Sequence, residues 1–449
     1  MGRKKREFNR LRLDSGQHRR IMLVSALLGA LAFLPVGLRL YSLMVTNYDY
    51  YSSLALRNQT RTTTVTADRG DIFDRNMNIL ATSVSVENVY LDPHELKQSK
   101  ADIPEIARTL GEILGKDPAW IEEQAADIKR RYKQVGTRVD EETAGIIRDY
   151  INEKGISGIH LEPTSQRVYP YETLAAQVVG FTNASNEGCE GVEAAYNSFL
   201  AGSTGRVITT KGNNEMDMPF SYENYVSSRQ GDSVILTLDA TVQACLEKQL
   251  SAAIARYDVQ NGAFGLVMNC KTGEILAMAN LGRAGTEGTF YERENYALGR
   301  SMEPGSTFKL ATMLTLLDDA DMSPQTAYDT HNGDPVTVGP AKNIRDSHRG
   351  DHVIDFRRAV ASSSNVYFAK AIWERYGITG KKQEYSDFLH EKLRLGQTVG
   401  LERLGERAPS ITTDWKVPDP GVMLVKMSYG YRVRLAPIQM ITFYNAIAN

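Results

Sequence analysis

The feature that most constrains this chain is an apolar run close to its N-terminus. Residues 21–38 read IMLVSALLGALAFLPVGL and carry no charge. At 1.5 Å of rise per residue, a helix over this run nearly spans the ~30 Å hydrocarbon core of a bilayer. The run therefore predicts one transmembrane helix, within an anchor that we place at residues 21–45.

A basic segment precedes the anchor and orients it. Residues 1–20 hold eight lysines and arginines against two acidic residues. Because positive residues next to a membrane span stay cytoplasmic, this tail is predicted to lie inside and the bulk of the chain outside the membrane. A cleaved secretory signal is the alternative, since Ala30-Leu31-Ala32 is a small-x-small site. We favour the anchor because the apolar run continues past Ala32 and because Tyr41 and Tyr48 suit an outer interface.

The remaining composition excludes some partners. The chain has 52 basic and 54 acidic residues, so everything after the basic tail is acidic on balance, which argues against nucleic acid as a main partner. Cys189, Cys245 and Cys270 are odd in number and far apart, which indicates buried single thiols rather than a disulfide framework. His348 and His352 lack the glutamate of an HExxH motif, so a metal site is not predicted there.

Residues 46–225 predict a small α/β domain. Alternating apolar residues between Ala67 and Pro93 indicate short strands. Three later segments have the spacing and charge of surface helices, namely 103–114, 118–132 and 141–154. Asp117 stands at a helix N-cap position before Pro118.

An Arg-Gly-Asp triplet at residues 69–71 lies at the start of this domain. It would suggest cell adhesion, but three-residue matches are frequent by chance. We instead predict that Arg69, Asp71, Asp74 and Arg75 form a buried or partly buried ion-pair cluster.

Residues 226–449 are predicted to form a second domain, whose pattern of apolar residues is stronger than that of the first. A strand at 233–238 precedes a helix that Asp239 can cap, with apolar residues every four positions. Two strands follow, at 265–268 and 274–279, joined by the tight turn Asn-Cys-Lys-Thr-Gly. This order of strand, helix and hairpin predicts an α+β fold, in which helices pack on an antiparallel sheet.

The most informative stretch for chemistry is residues 303–309, EPGSTFK, followed by LATMLTLL. Pro304 and Gly305 stand directly before an apolar helical run, so Ser306 is predicted at a helix N-terminus, where free N–H groups favour developing negative charge. Lys309 follows one turn later among apolar neighbours, and burial would favour its neutral, proton-accepting form. Ser306 and Lys309 are thus a candidate nucleophile and base, against the alternative of a capping serine with a solvated lysine.

A second candidate is the stretch Ser362-Ser363-Ser364-Asn365 ahead of another helical segment. The hydroxyl of Ser363 can relay a proton, and the carboxamide of Asn365 can both donate to and accept from a peptide group. An ordinary helix N-terminus rich in Ser and Asn is the alternative.

Together these motifs resemble the class B penicillin-binding proteins, whose acyl-serine transpeptidase domain uses Ser-x-x-Lys, Ser-x-Asn and a third Lys-Thr/Ser-Gly box. Stretches similar to the family's non-catalytic domain are 69–76, 80–81, 167–170 and 188–193. Stretches similar to its transpeptidase domain are 236–239 with Gln243, 271–278, 430–431 and 437–439. The resemblance covers nearly the whole chain, with departures at Cys189 and at residues 432–435.

The resemblance implies a peptidoglycan D,D-transpeptidase that cross-links stem peptides and is acylated by β-lactams. Ser306 would attack the penultimate D-Ala carbonyl of a D-Ala-D-Ala donor, with Lys309 as the base, Ser363 as the proton relay and Asn365 as the ligand of the substrate amide. No metal or organic cofactor is required. Membrane proteins of the division or elongation machinery are implied as partners, with a slight preference for division.

The family's third motif, the Lys-Thr/Ser-Gly box, is not matched in the expected order along this chain. Lys271-Thr272-Gly273 has its letters but precedes Ser306, so we predict a structural turn there. No later Lys-Thr-Gly or Lys-Ser-Gly occurs, and the chain stops within an apolar helical run. We therefore expect a C-terminally truncated transpeptidase domain that is catalytically incompetent as written.

Three alternative functions stay open from the sequence. A non-catalytic scaffold of the division machinery would use only the anchor and the non-catalytic domain. A β-lactamase or β-lactam sensor would need a deacylating carboxylate or a signalling domain, and neither is visible. A bifunctional class A enzyme is disfavoured because residues 46–225 do not resemble a glycosyltransferase.

Overall fold

The protein is described by a computed structural model that covers residues 15–51, 60–128, 132–210, 225–284 and 289–449. These ranges leave out most of the predicted basic tail and residues 129–131 of the predicted helix 118–132. They also leave out residue 224, which is next to the predicted domain boundary at 225. The chain divides into two compact units, residues 1–65 with 205–227 and residues 66–204 with 228–449.

The first unit contains the long apolar helix and a small sheet. Helix α1 (Ser15–Tyr41) continues into one π-helical turn at Ser42–Thr46. The apolar stretch Arg19–Thr46 is long enough to cross a membrane, and none of its most apolar part is buried in the protein. The predicted membrane-spanning segment is therefore a continuous helix. The sheet is antiparallel, in the order β1 (Thr60–Val65), β6 (Gly205–Thr210), β7 (Tyr225–Val226).

The N-terminal part of the second unit is built on a five-stranded sheet. Its strands are β2 (Ile72–Phe73), β3 (Ile79–Leu91), β4 (Lys133–Val139), β5 (Ile159–Val168) and β8 (Val234–Ile235). They follow the order β4-β3-β2-β8, β5 also pairs with β3, and the β2–β8 pair is parallel. The alternating apolar positions predicted several short strands, whereas β3 is one strand of 13 residues because β4 and β5 pair along it. The predicted strand 233–238 is regular only over Val234–Ile235.

Aspartate N-caps set where the helices of this part begin. The longer ones are α2 (Pro93–Gln98), α3 (Ile103–Leu114), α4 (Pro118–Ala126) and α5 (Glu141–Lys154). Their caps are Asp92, Asp102, Asp117 and Asp140, whose carboxylates accept backbone N–H groups of the first turn. Two predicted helices are confirmed to the residue, and the third ends at Ala126 rather than near Tyr132. Three short helices complete this part, α6 (Ala176–Val179), α7 (Gly191–Ala195) and α8 (Asn197–Leu200).

The predicted cluster of four charged residues near the triplet does not form. Arg69 is fully buried but pairs with Glu193, while exposed Arg75 reaches Glu274 at 3.4 Å. Asp74 is buried and has no cationic partner among the described residues. Its carboxylate instead accepts the side-chain amide of Asn78 and three backbone N–H groups. Burial raises the pKa of Asp74, but these hydrogen bonds outweigh it and hold the pKa below its ordinary value.

The C-terminal part of the second unit has an antiparallel sheet with helices packed on it. Strands β9 (Gly262–Met268), β10 (Ile275–Ala284) and β11 (Thr289–Glu292) lie in the order β11-β10-β9. Helix α9 (Ala240–Arg256), capped by Asp239 as predicted, packs on β9 and β10. Helices α10 (Tyr296–Gly299) and α16 (Pro437–Ala448) pack against the same sheet. The predicted α+β class is thus confirmed.

The remaining elements form a mainly helical core that includes Phe308, two positions after the candidate nucleophile Ser306. The helices are α11 (Lys309–Leu314), α12 (Phe356–Ser362), α13 (Asn365–Ile372), α14 (Lys382–Asp387) and α15 (Pro420–Met427). The strands are β12 (Ala327–Asp329), β13 (Val336–Val338), β14 (Ala341–Ile344) and β15 (Val353–Asp355). Phe308, Tyr367, Phe368, Tyr385 and Leu424 are among the fully buried residues of this core.

The cysteine prediction is wrong. Cys189, Cys245 and Cys270 are all exposed rather than buried. Cys270 lies in the hairpin turn and Cys245 on the outer face of α9, because the apolar side of that helix is formed by other residues. The cysteines therefore take no part in the core.

Candidate active site

Ser306 lies at the start of a helix, as the sequence predicts. A 3₁₀ turn at Gly305–Phe308 runs into α11, and the backbone N–H of Lys309 donates to the carbonyl of Ser306. The Ser306 side chain is exposed, and within the described residues its hydroxyl makes no hydrogen bond. A free hydroxyl at the surface is open to a substrate.

The turn that carries Ser306 is held by its contacts with a later segment. The N–H of Gly305 donates to the carbonyl of Gly430 at 3.0 Å, and Met302 pairs with Leu435 through two backbone hydrogen bonds. The hydroxyl of Tyr444, on α16, donates to the carbonyl of Thr307 at 2.8 Å. Gly430 has a φ of +83°, and a Cβ there would stand 1.9 Å from the Gly305 carbonyl oxygen. The chain around residue 430 therefore sets the position of the turn.

Lys309 is the unusual charged group of the site. It is 4% exposed, and its Nζ donates to the hydroxyl of Ser363 at 3.0 Å, to the carboxamide oxygen of Asn365 at 2.7 Å and to the Ser363 carbonyl. Burial lowers the pKa of Lys309 to about 8, although the carboxylate of Asp346 acts in the opposite direction. The structure thus brings Lys309, Ser363 and Asn365 together, with Ser306 one turn before the lysine.

The Ser-x-Asn segment lies between two helices in a tight connection. Ser363 ends α12 in the left-handed conformation, with a φ of +53°, and Ser364 caps α13 by accepting from the N–H of Tyr367. A residue other than glycine in this conformation carries backbone strain, so the surrounding contacts must stabilise it.

The carboxylate of Asp346 helps to stabilise this segment, and no sequence motif predicted that role. Its carboxylate accepts from the Ser364 hydroxyl at 2.7 Å and from the N–H of Val366 at 2.9 Å. The carboxamide of Asn365 donates to the neighbouring Arg345 carbonyl at 2.9 Å. No local pattern marks Asp346, because the residues it binds are 18 and 20 positions away.

The Lys-Thr-Gly triplet at 271–273 lies in the turn between β9 and β10, as predicted. The N–H of Gly273 donates to the carbonyl of Asn269, and Gly273 has a φ of +75°. The triplet joins two adjacent strands, which is a structural role.

Two family models match the chain in series. A Penicillin-binding Protein dimerisation domain matches residues 64–236, and a Penicillin binding protein transpeptidase domain matches residues 263–449. The predicted boundaries at residues 45 and 225 stay a prediction.

Similar proteins were found by sequence and by structure. The chain is 29% identical to the Probable peptidoglycan D,D-transpeptidase PenA of Neisseria meningitidis, over 95% of this chain and 71% of that protein. It is 27% identical to the Peptidoglycan D,D-transpeptidase FtsI of Escherichia coli, over 95% of this chain and 70% of that protein. Penicillin Binding Protein 2X from Streptococcus thermophilus has a similar fold, with a TM-score of 0.67 and 22% identity over 87% of this chain and 59% of that chain.

A dimerisation domain followed by a penicillin-binding transpeptidase domain defines one class of protein. The present chain belongs to that family, the class B penicillin-binding proteins, which are peptidoglycan D,D-transpeptidases of cell-wall synthesis.

Proposed function

We propose that this chain is a serine-type D,D-transpeptidase in which Ser306 is the nucleophile and Lys309 the general base. The observation that carries the proposal is the amine of Lys309. It is buried, has no carboxylate partner among the described residues, and donates to both functional residues of the Ser-x-Asn segment. A buried lysine with a lowered pKa is a competent proton acceptor near neutral pH.

In the acylation step, Ser306 Oγ bonds to the penultimate D-Ala carbonyl carbon of the donor, and its proton passes to the neutral amine of Lys309. The bond from that carbon to the nitrogen of the terminal D-Ala breaks. The departing amine takes a proton through the hydroxyl of Ser363, 3.0 Å from Lys309 Nζ. An amine on a second stem peptide then attacks the acyl-serine, and Ser306 leaves with its proton restored.

Asn365 is proposed to bind the donor's amide group. Its carboxamide is fixed at both ends, by Lys309 and by the Arg345 carbonyl. A primary amide has a second lone pair and a second N–H, so one acceptor and one donor remain for a substrate. The backbone N–H of Ser306 is proposed as one oxyanion donor, since it lies at the start of a helix.

The test is covalent labelling of the native gene product with a fluorescent penicillin, followed by peptide mapping of the label. We expect the label on Ser306, and we expect a membrane-impermeant penicillin to label the protein in intact spheroplasts, because the domain is proposed to lie outside the cytoplasmic membrane. Absence of label from a folded protein would favour the non-catalytic scaffold. Rapid loss of the label would favour a β-lactamase.

The rate of acylation should rise with pH through about 8 and then level off. Only the neutral amine accepts the proton of Ser306, and Lys309 with a pKa of about 8 is neutral above that pH. Stopped-flow or gel-based rates between pH 6 and 10 measure the inflection. Lys309→Arg is the matched variant, since a guanidinium stays charged over this range and should remove both activity and inflection. An inflection that persists in that variant would exclude Lys309 as the base.

Gly430→Ala should slow acylation by about 10- to 100-fold, because the added Cβ displaces the turn that carries Ser306. Gly380→Ala is the matched control, since Gly380 has a similar φ of +76° but open space around its Cα. Both variants carry the same backbone strain, so a difference in acylation rate reports the contact with Gly305. Equal rates would contradict this positioning role.

Partners and membrane topology are part of the proposal. Helix α1 is proposed to anchor the protein with its N-terminus in the cytoplasm. A structure with a similar fold, at a TM-score of 0.63, is the complex between Penicillin-Binding Protein (PBP2) and MreC from Helicobacter pylori. By analogy, the domain at residues 46–225 is proposed to bind membrane proteins of the division or elongation machinery. The role in division stays a prediction.

A further inference from the structure

A cleft beside Asn365 has an unusual excess of positive charge. Its volume is about 690 Å³, and Asn365 itself forms part of its wall. The charged residues of its lining are Lys342, Arg345, Lys426 and Asp346. Within the described part of the chain, none of the three basic side chains makes an ion pair or a hydrogen bond.

The single carboxylate in the lining does not balance these cations. Both oxygens of Asp346 accept hydrogen bonds, from the hydroxyl of Ser364 at 2.7 Å and from the N–H of Val366 at 2.9 Å. Three cations therefore face the same space, and the one carboxylate there already accepts two hydrogen bonds. Such a group of unpaired cations with a peptide-sized space is complementary to an anion.

The backbone fixes the cations relative to the proposed amide ligand. The carbonyl of Arg345 accepts the Asn365 carboxamide, so the two residues are joined directly. Lys342 lies on β14, and Lys426 lies on α15, which packs against β14. Asn365 lines the same cleft as these side chains, so a donor whose amide is bound by Asn365 lies next to them.

We propose that Lys342, Arg345 and Lys426 form an anion subsite that selects acyl donors with a carboxylate near the amide bound by Asn365. The inference rests on the proposed function, since it assigns the specificity of the same site. The ligand chemistry is a carboxylate, carried either by a donor stem peptide or by the side chain of a β-lactam. Its contribution is electrostatic, so it depends on ionic strength.

The test compares benzylpenicillin with its α-carboxylated analogue, which differs by one side-chain carboxylate. The readout is the ratio of their acylation rate constants on the native gene product. Arg345→Gln and Lys426→Gln should each lower the ratio of carboxylated to neutral rate about threefold to fivefold, and the double variant about tenfold or more. Added salt should lower the ratio in the parent protein and leave it nearly constant in the double variant.

Lys248→Gln is the control for a general change of charge, because Lys248 is an exposed residue on α9 outside the cleft. It should leave the ratio unchanged. Donor peptides ending in D-Ala-D-Ala, with an acidic side chain that is free or amidated, provide the second arm and show whether a stem peptide uses the subsite.

Three negative results are distinguishable. If both penicillins label Ser306 and the ratio is the same in all variants and at all salt concentrations, the anion subsite is overturned and the acyl-serine function stands. If neither penicillin labels the folded protein, the proposed function fails, and the subsite fails with it. A ratio that changes only with the β-lactams and not with the donor peptides would overturn the role in substrate selection.

Discussion

Replacing Ser306 with alanine should abolish covalent labelling by penicillin, with a loss in acylation rate of about 10⁴-fold or more. The reason is chemical, because the acyl-enzyme bond is made by the oxygen that the substitution removes. Ser306 is exposed and its hydroxyl makes no hydrogen bond within the described residues, so the fold should not depend on it. Gel fluorescence and the mass of the intact protein measure the result.

Thr307→Ala is the matched control for this prediction. Thr307 is the adjacent exposed residue, and within the described ranges its hydroxyl donates only to the carbonyl of Pro304, at 2.8 Å. The Thr307 variant should therefore label at a rate close to the parent. Equal labelling of the Ser306 variant and the parent would show that another residue is acylated and would contradict the proposed mechanism.

Glu193→Gln should destabilise the second unit by about 3–5 kcal/mol, since it leaves buried cations without their counter-ion. The carboxylate of Glu193 is fully buried and binds two buried guanidinium groups, that of Arg69 and, at 2.7 Å, that of Arg167. Arg69 also donates to the Glu193 carbonyl and to the side chain of Asn197. Loss of the ion pair therefore affects both α7 and α8, on which these two residues lie. The melting temperature should fall by about 10 °C in differential scanning calorimetry.

Glu105→Gln is the matched control in the same part of the fold. Glu105 also pairs with a cation, Lys154 at 3.0 Å, but both side chains are more than a third exposed. Solvent screens such a pair, so this variant should melt close to the parent temperature. A Glu193 variant that melts at the parent temperature would show that the buried ion pairs contribute little to stability and would contradict this prediction.

Local patterns predicted the elements whose causes are local. The spacing of apolar residues gave α3 and α5 to the residue, and Asp239 correctly marked the start of α9. The turn at 271–273 follows from its residue types and from the strands on each side. In these segments the decisive contacts lie within a few positions along the chain, where propensity and capping act.

Charged residues were predicted less well, because their partners are distant in sequence. The prediction joined Arg69 to the nearby acidic residues, whereas its partner Glu193 is 124 positions away. The helix predicted to reach residue 132 ends at Ala126, before the strand Lys133–Val139 that pairs with β3. The local residue pattern predicts neither the partner of Arg69 nor the end of this helix.

The candidate site likewise combines features with local causes and features that depend on residues distant in sequence. By itself the sequence determined that Ser306 and Lys309 lie one turn apart at a helix start, because their spacing of three residues and the preceding Pro-Gly are local properties. Only the tertiary structure decided that Ser363 and Asn365, 54 and 56 positions later, bind the Lys309 amine, and that Asp346 holds their segment in place. The physical reason is that burial of the amine and the direction of its hydrogen bonds depend on how α11, α12 and α13 pack, and no local pattern encodes that packing.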